Sequence, residues 1–378
     1  MIIISADISD AAFVLARPDR TVLAKGAGPV FRSAAAAVTA LRTGQVRYIV
    51  GALPFAPGAP AALWAPESFT VTAGRYRPTA PKALPRFEFE SAVPSQDAHL
   101  RRVAAAVRLL ENPSHPIRKV VLARAIRARA ASPVAAGALL ELLVSTDSVG
   151  NGFLVDLSAA GSSYRGRHLV GCSPEILVRR DGTRVLSHPL AGSARRIAED
   201  EADRAAAREL LGSAKDRDEH RYVVDQVDGV LRDRCATVRT PDAPELTGTA
   251  EMWHLGTPIT ATVPLDGPSA LELAAALHPT PAICGTPTAA AARLIAELEG
   301  DRGFYAGAVG WCDAEGNGEW MVSIRCAELA ADGMRLLAHA GGGIVADSDP
   351  AAELAETTGK FQRILGPLGI GDRTVPVA

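Results

Sequence analysis

Cysteine is scarce and its placement predicts no covalent cross-link. Its five residues, Cys172, Cys235, Cys284, Cys312 and Cys326, are odd in number, scattered, and without a C-x-x-C pair. That pattern excludes a disulfide framework and a structural zinc site, and it predicts buried, reduced thiols. No uninterrupted apolar run approaches the roughly 18 residues that a membrane-spanning helix needs. The N-terminal MIIISADISD has no basic stretch before its apolar patch and soon reaches Asp7, so no secretory leader is expected and a cytoplasmic location is. Neither sign of charge dominates: 40 basic residues stand against 42 acidic ones, for a net charge of −2. The electrostatic footprint of a nucleic-acid binder or a polybasic membrane binder is therefore missing. Internal repeats, low-complexity tails and evident linkers are missing as well.

Lysine is also rare. Only Lys25, Lys82, Lys119, Lys215 and Lys360 break an almost uniform use of arginine among the basic residues. Arginine serves where charge alone is wanted, whereas a lysine kept against that bias points to a place where an amine that can lose its proton is needed. What the chain has in plenty is core material. Its 378 residues are 48% hydrophobic and 22% charged, which fits one large or two modest globular domains.

Along the chain, periodicity predicts a helix near 32–42, a buried strand at 48–55, an extended stretch over 76–96 and an amphipathic helix over 97–112. A period-2 strand, VVLARAIRA, opens just beyond Lys119. Asp181-Gly182 and Glu315-Gly316-Asn317 read as hairpin turns, the second leading into one strand, GEWMVSIRCAEL. A charged helix is expected over 197–236, and a last helix from Asp349-Pro350, an N-cap followed by proline. Strands that arrive by hairpins rather than by helical crossovers predict an α+β fold with antiparallel sheets, not a doubly wound one.

Two of these helices present acids at i, i+3 spacing and hence on one face: Asp216 with Glu219, and Glu353 with Glu356, followed a turn later by Lys360. Taken alone, each pair also fits a solvated helix face. If they converge, they form an oxygen-only site that suits Mg²⁺ rather than zinc. Ala340-Gly341-Gly342-Gly343-Ile344, read as a segment between a strand and the second acidic helix, lets backbone approach a ligand, although a plain turn fits equally. Arg325 is a candidate carboxylate clamp. Lys119, entering an apolar strand, is a candidate general base, and Glu175, opening another, a candidate general acid.

The wording of the segments that carry these residues is familiar. KVVLARA (119–125), GCSPEILVRR (171–180), HPLAGSARR (188–196), KDRDEHRYVVDQV (215–227), WHLGTPI (253–259), LHPTPAICGTP (277–287), the long 302–329 segment and GGGIVADSDPAAELAETTGKF (341–361) follow one another in order. Together they resemble the chorismate-utilising enzymes, and among these the isochorismate synthases of aryl-acid pathways. The likeness runs from about residue 45 to about 366. Residues 1–44 match weakly and 45–370 correspond to the chorismate-binding catalytic domain, with 1–370 expected to form a single domain.

The resemblance implies two packed antiparallel sheets with helices outside and the site in a cleft between the sheets. It implies Lys119 as the base that activates water and Glu175 as the acid that protonates the departing hydroxyl. Glu219 and Glu356 would bind Mg²⁺ directly, with Asp216 and Glu353 acting through its water. Arg325, Tyr305 and the N–H groups of Gly341 and Gly343 would hold the enolpyruvyl carboxylate. Gly192, Ser193, His254 and Lys360 would line the ring-carboxylate side. The chain departs from the family pattern at Gly342, Ser193 and Asp216, where alanine, threonine and glutamate are usual.

Ala191 stands where aminodeoxychorismate synthases carry an attacking lysine, which implies water as the nucleophile. The L-L-E-S motif of anthranilate synthases is missing, and no glutaminase partner is implied. LHPTPA matches the isochorismate branch. Salicylate synthase, which goes on to eliminate pyruvate, and a catalytically silent binding relative are the alternatives.

Overall fold

Alternate residues of the strand Phe13–Ala16 enter different cores: Phe13 and Leu15 face one, Val14 and Ala16 the other. The same alternation recurs along Gly152–Asp156, whereas Lys119–Ala130 enters the first core with Val120, Leu122 and Ala123 and the second with Ile126, Ala128 and Ala130; these strands are largely buried and read as nearly continuous apolar runs. The computed structural model describes residues 3–4, 7–78 and 83–371 and shows why. One core lies between a ten-stranded and a nine-stranded antiparallel sheet; the other lies between the ten-stranded sheet and the helices Ala136–Ser145 and Pro350–Leu365. The α+β reading with two packed antiparallel sheets holds.

The ten-stranded sheet centres on Lys119–Ala130 paired with Arg335–Ile344, and continues through Cys326–Leu329, His168–Gly171 and Gly152–Asp156 to the N-terminal hairpin Phe13–Ala16/Arg20–Lys25. The nine-stranded sheet runs through the hairpin Ile176–Asp181/Arg184–His188, then Gly318–Val322, Ala308–Asp313 and Tyr48–Leu53. Residues ahead of position 45 thus supply strands to both sheets, including Val30–Phe31 at the edge of the second. Glu319, fully buried, ties them in by ion pairs of 3.0 Å to Arg17 and 3.1 Å to Arg20.

Three expectations are corrected. The charged helix over 197–236 is two helices, Asp200–Gly212 and Ala214–Arg232. Ser213 breaks it by taking an extended conformation and accepting a hydrogen bond from the Asp216 N–H, an alternative to the helix ladder that serine readily offers. The glycine run is not a connecting loop: Gly341, Gly342 and Gly343 are strand residues, opposite Ala123, Leu122 and Val121. GEWMVSIRCAEL is not one strand either. Gly318–Val322 belongs to the nine-stranded sheet and Cys326–Leu329 to the ten-stranded one, and the chain crosses between them at Ser323–Arg325. Of the predicted extended stretch, Phe87–Val93 is a strand, while 79–82 lie outside the described residues. All five cysteines are free and four are buried.

Candidate active site

Lys119 is the first residue of its strand and is fully buried, its Nζ 2.9 Å from Glu219 Oε1. The glycine strand makes room for that pair. A Cβ on Gly343 would lie 2.4 Å from Glu219 Oε1 and 2.9 Å from Lys119 Cε, and one on Gly342 would lie 2.8 Å from Glu353 Oε2. Beyond Ala338 this strand pairs on one side only, so its other edge offers backbone groups, and Lys360 Nζ donates to the Gly341 carbonyl at 2.9 Å.

Where the chain crosses between the sheets, Arg325 is held at φ 51°, a left-handed conformation costly for any residue with a Cβ. The crossing turns its buried guanidinium into a cavity. Among the described residues its Nη1 has no partner, and its Nη2 lies 3.4 Å from His254 Nε2. Burial, then the charges of Arg325 and Lys360, keep His254 well below the usual histidine range against a hydrogen bond at Gly192. His254 pairs across a small three-stranded sheet with Ser193, beside a register shift at Gly192, whose φ of 74° suits glycine. Tyr305 closes another wall, stacked on His339 at 4.8 Å, with its hydroxyl 3.0 Å from where a Gly341 Cβ would be.

Glu175 precedes the strand Ile176–Asp181 and is 3% exposed. Burial pushes its carboxyl up to about 8, although the Leu190 backbone, Lys119, Arg325 and Lys360 all oppose the shift. Desolvation prevails because no cation forms an ion pair with this carboxyl among the described residues. At neutral pH the cavity therefore contains a protonated carboxylic acid.

The two acidic helices meet at the far side. Glu219 and Glu356 line the cavity; Asp216 and Glu353 sit behind them. Burial raises Asp216 above its usual range, and burial together with Glu356 raises Glu353 to about 7. Glu356 stays below its usual range, because Lys360 at 2.5 Å and the Ser193 hydroxyl outweigh its burial. Three of the four carboxylates face a lysine: Glu219–Lys119, Glu356–Lys360 and Glu353–Lys215. Among the described residues no three such side chains are gathered tightly enough to hold one ion in this arrangement. The donor set nonetheless fits a hard cation. It is all oxygen, Glu353 Oε2 is buried without a partner among the described residues, and the missing Cβ atoms of Gly342 and Gly343 leave the carboxylates space to turn.

The family model for chorismate binding enzymes matches residues 64–369. The chain belongs to the chorismate-binding enzyme family. The MenF protein of Mycobacterium tuberculosis is 49% identical over 359 residues, covering 95% of this chain and 96% of its own. The isochorismate synthase DhbC of Bacillus subtilis is 39% identical over 384 residues, covering 95% and 94%. The crystal structure of the DhbC protein from Bacillus anthracis superposes with a TM-score of 0.86 at 35% identity, covering 96% and 97%.

Within this chorismate-binding fold, Glu175, Ala191, Gly192, Ser193, His254, Tyr305, Arg325, Gly341, Gly343, Lys360, Glu219 and Glu356 line one cavity. Lys119 does not reach its wall, because Glu219 stands in front of it. Several contributors escaped the sequence reading. Arg302 clamps Glu299 at 2.8 Å and donates to the carbonyls of Ile283 and Val121, bracing the strand behind Tyr305. Ser348 donates to Glu353 at 2.7 Å, and His220 meets Thr257 at 2.7 Å. A buried arginine or histidine has no sequence signature apart from its neighbours. Lys215 did have one, in the rarity of lysine.

Proposed function

We propose that this protein is an isochorismate synthase, converting chorismate to isochorismate with Mg²⁺ for a pathway to 2,3-dihydroxybenzoate or a similar aryl acid. The observation that carries the reading is Glu175, a buried carboxylic acid held protonated at neutral pH in a cavity that also holds the unpartnered Arg325 Nη1. An acid that must deliver a proton to a departing hydroxyl needs this state. The isochorismate synthases among the relatives support the reaction.

In this reading Lys119 takes a proton from water as the water oxygen bonds to C2 of the ring. Both conjugated ring double bonds shift, C1=C2 to C1=C6 and C5=C6 to C4=C5, and the C4 hydroxyl leaves as water with the proton of Glu175. Glu219 stands between Lys119 and the cavity, so the amine meets the reacting water only when that carboxylate turns aside. Arg325, Tyr305 and the N–H groups of Gly341 and Gly343 orient the enolpyruvyl carboxylate. Neutral His254, Gly192, Ser193 and Lys360 border the ring carboxylate. Ala191 leaves no amine in the cavity to compete with water. Glu219 and Glu356, with Asp216 and Glu353 through water, would hold Mg²⁺, which when bound neutralises the ring carboxylate. No ammonia-supplying partner is needed for such chemistry. Among the described residues no helix is long and apolar enough to cross a membrane.

The test is incubation with chorismate and Mg²⁺ without ammonia, followed by chromatographic separation. Isochorismate forms, isochorismate alone returns to chorismate, and EDTA stops both. Stoichiometric pyruvate, read with a lactate dehydrogenase couple and corrected for spontaneous breakdown, would promote the salicylate-forming lyase instead.

A further inference from the structure

Three of the chain's five lysines, Lys119, Lys215 and Lys360, each meet one carboxylate of the two acidic helices. Lys119 and Lys360 have roles in the reaction; Lys215 has none. It lies in the first turn of Ala214–Arg232, away from the cavity wall, and its side chain is about a third exposed. Its Nζ reaches across to Glu353 Oε1, on the other acidic helix, at 3.3 Å. Glu353 is 3% exposed, with Oε1 already accepting from Ser348 and Oε2 unpartnered. The Lys215 charge also acts on Glu219, Asp216 and Glu356, so all four carboxylates feel it.

Four acids converging from two helices repel one another, and the metal-free protein needs a cation there. An arginine would grip the carboxylate through a rigid fork. A lysine is a point charge on a flexible stem, and a third of this one already faces solvent. We propose that Lys215 is a positioning residue that serves as a stand-in cation, bridging the two acidic helices in the metal-free protein and withdrawing toward solvent when Mg²⁺ takes its place. The role rests on the metal reading of the two helices given above. Its consequence runs against the usual expectation for a residue beside a binding site: removing the lysine strengthens metal binding while weakening the metal-free fold.

The test uses the intact chain and requires no turnover. Free Mn²⁺ is counted by its electron paramagnetic resonance signal, with Mg²⁺ as competitor, for wild type, Lys215→Met and Lys215→Arg. Removing one positive charge a few ångströms from a divalent ion in a partly buried site gives about tenfold tighter binding or more for Lys215→Met, an effect that shrinks as salt is added. Lys215→Arg binds no tighter than wild type. The metal-free melting temperature of Lys215→Met falls below that of wild type, and saturating Mg²⁺ restores it; a merely structural lysine would lower stability and affinity together. If Lys215→Met is unfolded without metal, refolding on addition of Mg²⁺ supports the role and failure to refold overturns it. Equal or weaker binding by Lys215→Met overturns the role of Lys215 alone. A wild-type protein that binds neither ion overturns the metal reading and this role with it. A protein with the expected affinity order that made no isochorismate would lose the assigned reaction and keep the lysine's role.

Discussion

Arg325 Nη2 lies 3.4 Å from His254 Nε2, and a guanidinium can only donate, so the imidazole nitrogen facing it is an acceptor. The pair fixes which way each side chain presents itself. His254 is neutral because it is buried beside a permanent cation, and Arg325 keeps Nη1 free for a ligand.

Replacement of Arg325 by lysine therefore removes the free donor and the hydrogen bond to His254 together. The expected result is a rise in KM for chorismate of about tenfold or more, with a smaller fall in kcat, since a charge-assisted bond to a carboxylate is worth roughly 1.5–3 kcal/mol. Steady-state kinetics at saturating Mg²⁺ separate the two. An unchanged KM would remove Arg325 from the carboxylate clamp.

Glu175, in its proposed role as the acid, is expected to set the alkaline limit of activity. Its carboxyl, raised to about 8, is protonated at neutral pH and ionised above that value, so kcat/KM falls as pH rises through about 8. The unfolded chain has an ordinary carboxylate there, so between its ordinary value and 8 the folded state binds more protons than the unfolded one. Stability therefore falls with rising pH across that window. Glu175→Gln removes this cost. It should cut turnover by about 10²–10⁴-fold and stabilise the fold at neutral pH by on the order of 3 kcal/mol, read as a higher melting temperature. Paired activity assays and thermal melts check both signs.

Lys119→Arg is expected to fail nearly as badly as Lys119→Ala. Arginine keeps the charge but not the exchangeable proton, and the loss of positioned base catalysis costs about 10²–10⁴-fold in kcat. An active arginine variant would reduce Lys119 to a counter-charge for Glu219.

Gly343→Ala isolates the space beneath that pair. Gly343 has no left-handed φ, and the atoms its Cβ would meet are the ends of the Glu219 and Lys119 side chains, so the fold tolerates the methyl at a cost of roughly 1 kcal/mol. The carboxylate and the amine must move apart, and activity should fall by about 10²-fold. Folded protein with full turnover would show that their spacing does not matter.

Composition and periodicity determined much of this protein. The hairpins at Asp181-Gly182 and Glu315–Asn317 and the acidic pairs on two helices depend on residues close in sequence, whose turn chemistry and 3.6-residue repeat are local properties. The order of the motifs likewise pointed to many of the residues that line the cavity, among them Glu175, Arg325 and Glu356. Tertiary structure alone decided the rest. The glycine run is a strand because Val121–Ala123, more than 200 residues away, supplies its pairing partner, and no local signal can announce that. Arg325 points into the cavity because the chain leaves one sheet for the other at that residue. The protonation of Glu175 and the pairing of Lys215 with Glu353 follow from desolvation and distance, which exist only once remote segments have packed together.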